Sequence, residues 1–196
     1  MSWVAERLLV LIPLVLSLTV HEFAHAWSAH LLGDDTARLN GRLTLDPLPH
    51  LDPVGTFILP LIGVPFGWAV PVPVNPGRFR LSVNPFLGLA LVAAAGPLSN
   101  FLLAGLAWGL AQVVVDGAIG ALAHTLVGMN LALGLFNLLP IPPMDGSRIV
   151  DYLLPDALRG PWATFARGGA LLLLIGALVF WMVFQVYESL DTVPPI

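Results

Sequence analysis

Four long apolar stretches run through the chain, from about Leu8 to Leu32, Pro85 to Val115, Ala121 to Leu139 and Gly168 to Tyr187. Each is long enough for a helix to cross a bilayer, which takes about 20 residues. The second contains Gly96-Pro97, where a kink is expected, and membrane helices tolerate such kinks. The third ends at Pro140. Between the first two, residues 33–84 follow another pattern. Val54 to Val70 is apolar but crowded with Pro53, Gly55, Pro60, Gly63, Pro65 and Gly67, and Val70 to Gly77 alternates Val with Pro. That is poor helix and reads as extended strand or loop. Irregular backbone survives at membrane depth only where it is buried in protein or faces a watery cavity. Residues 54–74 are therefore expected to form a re-entrant loop or β-hairpin lining a site, with a full span as the alternative. The fold class expected is an all-α membrane protein of about four transmembrane helices plus that insertion.

Composition agrees. The chain is 57% hydrophobic and 10% charged, with mean hydropathy +0.87, against roughly a quarter charged in soluble domains. The 196 residues suit one integral-membrane domain over 1–196, with a core at 8–150, an interfacial segment at 151–167 and a final helix at 168–187. The first stretch lacks a strongly basic start and a small-residue cleavage site, and it carries His and Glu, so it reads as a retained helix rather than a signal peptide. With no cysteine, thiolate metal sites and disulfides are impossible. With no lysine, no basic run and a net charge of −4, nucleic acid is not an expected partner. Membrane lipid is.

The arginines bear on topology. If 54–74 returns to the face it left, Arg38, Arg42, Arg78, Arg80, Arg148, Arg159 and Arg167 share one side, and of the eight basic residues only Arg7 lies opposite. The positive-inside rule makes that side cytoplasmic.

The candidate chemistry sits at His21-Glu22-Phe23-Ala24-His25. Residues four apart share a helix face, so both imidazoles can bind one metal ion. Glu22 lies beside that ion, where it can take a proton from an attacking water and return it to the leaving amine. This spacing on a helix is a metalloprotease signature. The plainer reading is a satisfied polar cluster or an ion path. Two histidines and a glutamate in an apolar helix are costly unless they serve a function. Hydrolytic zinc usually takes three protein ligands. Asp145 is the leading third candidate, because the prolines of Asn137-Leu138-Leu139-Pro140-Ile141-Pro142-Pro143-Met144-Asp145-Gly146 break the helix at the depth of His25 and can aim the carboxylate back. Asp46, Asp52 and His50 compete. His30 is rotated off the ligand face and His124 starts the third helix at the opposite side.

The histidine motif, Gly41-Arg42-Leu43-Thr44-Leu45-Asp46-Pro47, Gly96-Pro97-Leu98-Ser99-Asn100 and the Asn137 to Gly146 stretch resemble, in order and spacing, the site-2 protease family of intramembrane metalloproteases. The resemblance extends to about Val150 and looks like that of a minimal prokaryotic member without an appended regulatory domain; it names no regulatory partner. It implies one Zn2+ per chain bound by His21, His25 and Asp145, with Glu22 as the catalytic base. It also implies hydrolysis of transmembrane protein substrates in a multi-pass cell-membrane enzyme. Met144 replaces the usual leucine, a change conservative in volume, and Ser147 stands where a second glycine is common. Asn100 and Asn137 match family asparagines and are candidate contacts to a substrate backbone or oxyanion, with helix-to-helix hydrogen bonds as the alternative. Asn130 reads as structural. A metal-binding transporter or inactive binding protein is the rival function. A prenyl-protein protease would need its carboxylate ligand in a different motif.

Overall fold

The computed structural model describes residues 3–62, 67–114, 116–169 and 176. It is mostly helical, with no strand among the described residues. Among the described residues, three helices are long and apolar enough to cross a membrane. Helix α1 is Trp3–Leu31, α2 is Pro85–Val113 and α3 is Gly117–Asn137. The short α4, Asp145–Leu153, follows the proline-rich turn, and residues 156–169, α5, are helical again. The expected fourth span at 168–187 lies almost wholly outside the described residues.

Local chemistry explains the boundaries. Asn84 caps α2, its side chain accepting from the N–H groups of Phe86 (2.9 Å) and Leu87 (3.2 Å), with Pro85 at the first helical position. Those N–H groups have no intrahelical partner, and proline needs none there. The three long helices pack on one another, and α4 docks against α2. The guanidinium of Arg159 lies 4.4 Å from the Phe86 ring centroid, tying α5 to the start of α2. Outward-facing leucines such as Leu98, Leu102 and Leu106 are exposed, as expected of helices solvated by lipid.

The insertion differs in part from the sequence expectation. Pro53–Ile58 forms a wide helical turn that continues as Leu59–Leu61, instead of a hairpin strand. The reason is local: Asp52 accepts from the N–H groups of Val54 (2.9 Å) and Gly55 (2.7 Å), and Pro53 sits at the first position. This is a helix start of the kind that outweighs apolar, glycine-rich composition. The two ends of the excursion meet. Leu51 and Ala69 form an isolated antiparallel bridge, and the Val70 N–H donates to the His50 carbonyl at 2.9 Å. Residues 70–74 then run without helical turns. They are pinned at Val70 by the Arg42 guanidinium on its carbonyl, and at Asn75, whose N–H donates to buried Asp34 at 2.6 Å.

Candidate metal centre

His21, Glu22 and His25 project from the last turns of α1 and are buried. Asp145 is the first residue of α4. The Nε2 atoms of His21 and His25 lie 3.0 Å apart, and the Asp145 Oδ2 lies 3.2 Å from the first and 3.3 Å from the second. The Glu22 carboxylate joins the two histidines in a cluster whose ligating atoms lie within 4.8 Å of one another. Its Oε2 is engaged elsewhere, accepting from the Val72 N–H at 2.8 Å. The tight triangle is therefore His21, His25 and Asp145, with Glu22 beside it.

The tautomers follow from the second nitrogens. The His25 Nδ1 lies 2.7 Å from the carbonyl oxygen of Val92. A carbonyl only accepts, so Nδ1 carries the proton and Nε2 presents a lone pair. The His21 Nδ1 faces the Asn100 Oδ1 at 2.6 Å and donates in the same way. Asp145 brings a carboxylate, the anionic oxygen ligand that zinc accepts beside imidazole. Its Oδ2 is buried without a hydrogen-bond donor. Two lone pairs and a carboxylate oxygen facing one another at 3.0–3.3 Å repel unless a cation sits among them. Ligands about 2.0–2.1 Å from a tetrahedral zinc stand roughly 3.3 Å from each other. The donor set and its spacing fit zinc.

The glycine-proline motif in α2 has a definite role in this arrangement. A Cβ on Gly96 would lie 2.5 Å from the Nε2 of His25 and 2.6 Å from the Cε1 of His21. Only glycine lets α2 approach the imidazoles this closely. Pro97 has no N–H to give the Ala93 carbonyl, one residue beyond the Val92 carbonyl that holds His25. Gly146 acts likewise at Asp145: a Cβ there would fall 2.2 Å from the Leu138 carbonyl oxygen, so α4 can start directly against the end of α3.

The competing ligands are accounted for. Asp46 accepts from the Leu48 N–H and Asp52 caps the turn at Val54. The Nε2 of His50 donates to the Thr44 carbonyl (3.0 Å) while its Nδ1 accepts from Arg42 (3.4 Å), so it braces the loop. His30 pairs with Asp35 at 2.6 Å, and the Nδ1 of His124 donates to the Gly120 carbonyl at 2.8 Å. Asn100 is fully buried behind His21. Its Oδ1 is taken by His21 and its Nδ2 by Asn130 and the Ser17 carbonyl. Its side chain is thus engaged within the protein, on His21, Asn130 and Ser17. Asn137 is half-buried; its Nδ2 donates to the Leu133 carbonyl at 3.0 Å. Sequence reasoning missed Val92 altogether, because a backbone carbonyl leaves no trace in residue type.

Comparison with known proteins bears on this geometry. The model of the family described as "Peptidase family M50" matches residues 111–183, which include Asp145. "Putative zinc metalloprotease YwhC" of Bacillus subtilis is 40% identical over 188 residues, covering 88% of this chain and 84% of that protein. "Putative zinc metalloprotease Rip2" of Mycolicibacterium smegmatis is 31% identical over 204 residues, covering 97% and 76%. The protein of that name from Mycobacterium tuberculosis is 29% identical over 201 residues, again covering 97% and 76%. No solved structure matches the chain significantly.

Proposed function

This chain belongs to peptidase family M50, the site-2 protease family, and is a zinc metalloprotease; we propose that it hydrolyses peptide bonds of membrane-spanning proteins, with His21, His25 and Asp145 holding one zinc ion and Glu22 as catalytic base. The observation that carries the ligand assignment is the triangle of Nε2, Nε2 and Oδ2 atoms with sides of 3.0–3.3 Å, its imidazoles held in the metal-binding tautomer. Bound zinc supplies Lewis-acid polarisation of a carbonyl and acidifies water. Asp145 contributes the negative charge that balances the cation. Glu22 accepts the proton of the attacking water and delivers it to the leaving amine. The Val72 N–H on its Oε2 fixes the carboxylate's direction.

The excursion at 54–74 is read as re-entrant. The Leu51–Ala69 bridge supports this, since a segment whose ends meet returns to the face it left. With re-entry, the arginine distribution favours a multi-pass prokaryotic cell-membrane protein whose site lies nearer the cytoplasmic side.

Residues 70–74 lie against Glu22 and offer an edge to an unwound substrate. In an extended run, alternate residues share an edge, so Val70, Val72 and Val74 face one way. Pro71 and Pro73 leave the other edge without donors. Among the described residues, the Val72 carbonyl and Val74 N–H have no protein partner, and strand addition there uses main-chain hydrogen bonds. Val74→Pro is expected to slow cleavage about fivefold or more, the effect of one backbone hydrogen bond of roughly 1 kcal/mol, with zinc content unchanged. Unaltered cleavage of a membrane substrate by the Val74→Pro enzyme would refute the pairing. Asn137, whose Oδ1 accepts no hydrogen bond among the described residues, is the more open of the two candidate asparagines for a substrate contact.

The overall reading is tested with purified protein in liposomes containing a transmembrane peptide. Cleavage is expected, is abolished by a chelator and returns with zinc. Metal uptake into the vesicle lumen without cleavage would instead establish the transporter reading. The clustering of His21, Glu22 and His25 on one stretch of α1, rather than along a path through several helices, favours the enzyme.

A further inference from the structure

Behind His21 stands a chain of buried polar groups that the hydrolytic chemistry does not itself use. Asn100 on α2, Asn130 on α3 and Ser17 on α1 are each fully buried. The Asn100 Nδ2 donates to the Asn130 Oδ1 at 2.7 Å and contacts the Ser17 carbonyl at 3.4 Å. The Asn130 Nδ2 donates to the Ser17 Oγ at 2.8 Å and to the Leu126 carbonyl at 2.9 Å. The Ser17 Oγ donates to the Pro13 carbonyl at 2.6 Å. Each step has one direction. The Pro13 and Leu126 carbonyls can only accept, so the Ser17 hydroxyl points to Pro13 and the Asn130 amide cannot be flipped. The Asn130 oxygen therefore faces Asn100, whose own oxygen must then face His21. The sense of every bond in the chain is set by backbone carbonyls.

We infer that Asn130, supported by Ser17, is a positioning residue for the metal centre: it locks the Asn100 amide so that His21 holds its proton on Nδ1 and keeps Nε2 free for zinc. The inference rests on the reading of His21 as a ligand. A flipped Asn100 would present an N–H to the Nδ1 of His21, drive the proton to Nε2 and remove the lone pair. Helix-to-helix adhesion alone would not need the chain to end on a ligand nitrogen. Supporting contacts that orient metal-bound histidines typically contribute 10–100-fold in metal affinity. Asn130 acts one bond further out, and the expected effect is about tenfold.

The test compares wild type with Asn130→Leu, Asn130→Asp and His21→Ala in detergent. Zinc affinity is measured by chelator competition. Histidine 15N NMR of the metal-free protein reports the His21 tautomer, and thermal unfolding of the same protein reports stability. Asn130→Leu is expected to weaken zinc about tenfold and to show a mixed His21 tautomer. Asn130→Asp, whose protonated carboxyl keeps one oxygen to receive Asn100 and one O–H for the Leu126 carbonyl, is expected to restore most of the affinity and the Nδ1–H signal. Wild-type affinity and a pure Nδ1–H tautomer in Asn130→Leu would overturn the inference, as would a loss of stability with neither changed. If Asn130→Leu does not fold, Asn130→Asp decides: a mixed tautomer with weakened zinc in that variant overturns it. His21→Ala separates the two levels. Undiminished zinc binding there would sink the ligand assignment itself, whereas its loss there alongside normal binding in Asn130→Leu sinks only the role of Asn130.

Discussion

Glu22→Gln is expected to retain one zinc per chain and to lose cleavage of a membrane-spanning peptide by about 10²–10⁴-fold, the range a positioned proton-transfer group contributes. The substitution is nearly isosteric. Its amide oxygen can still accept from the Val72 N–H that holds the Glu22 Oε2 at 2.8 Å. The metal triangle is untouched, because its three sides involve only His21, His25 and Asp145. What disappears is a group that can take a proton from water at neutral pH. Elemental analysis of the purified variant and a single-turnover cleavage assay check both halves. Cleavage at the wild-type rate would remove Glu22 from the chemistry. Loss of zinc would mean that Glu22, not only the triangle, holds the ion.

The opposite pattern is expected for Asp145→Ala. Zinc and cleavage should be lost together, with affinity falling by more than the roughly 10–100-fold typical of a merely supporting contact. Alanine leaves two neutral imidazoles and no anion, so the cation loses both a ligand and the charge that balances it. His21→Ala should behave alike. Asp52→Ala is the matched control: that carboxylate caps the turn at Val54 and Gly55, and its loss should cost roughly 1 kcal/mol of local stability with zinc intact. Chelator titration of the three variants distinguishes them. Zinc binding in Asp145→Ala equal to wild type would show that the third ligand is another residue, with Glu22 the nearest alternative by distance.

Much of this was legible in residue order because it depends on contacts within one helix. The spacing of His21 and His25 follows from helical periodicity, so the pairing of their imidazoles is fixed once α1 forms. The apolar lengths of α1, α2 and α3 likewise predict spans without reference to partners. The insertion was less readable. Its prolines and glycines marked it as irregular, yet the Asp52 cap and Pro53 started a helical turn that composition alone had argued against. The asparagines show where sequence stops. Asn100 and Asn137 looked equivalent as residues beside proline-broken helices, but Asn100 is spent on His21, 79 positions away, and on Asn130. Asp145 was already the leading carboxylate by sequence; packing against α2 and the fit of Gly146 under Leu138 put its Oδ2 within 3.2–3.3 Å of both imidazoles. The sequence by itself determined a membrane chain with a two-histidine, one-glutamate motif, since periodicity and hydropathy are properties of each segment. Tertiary structure alone decided how closely Asp145 approaches the two imidazoles and which of their nitrogens face a carbonyl or amide oxygen, because those depend on atoms that meet only when separate helices pack.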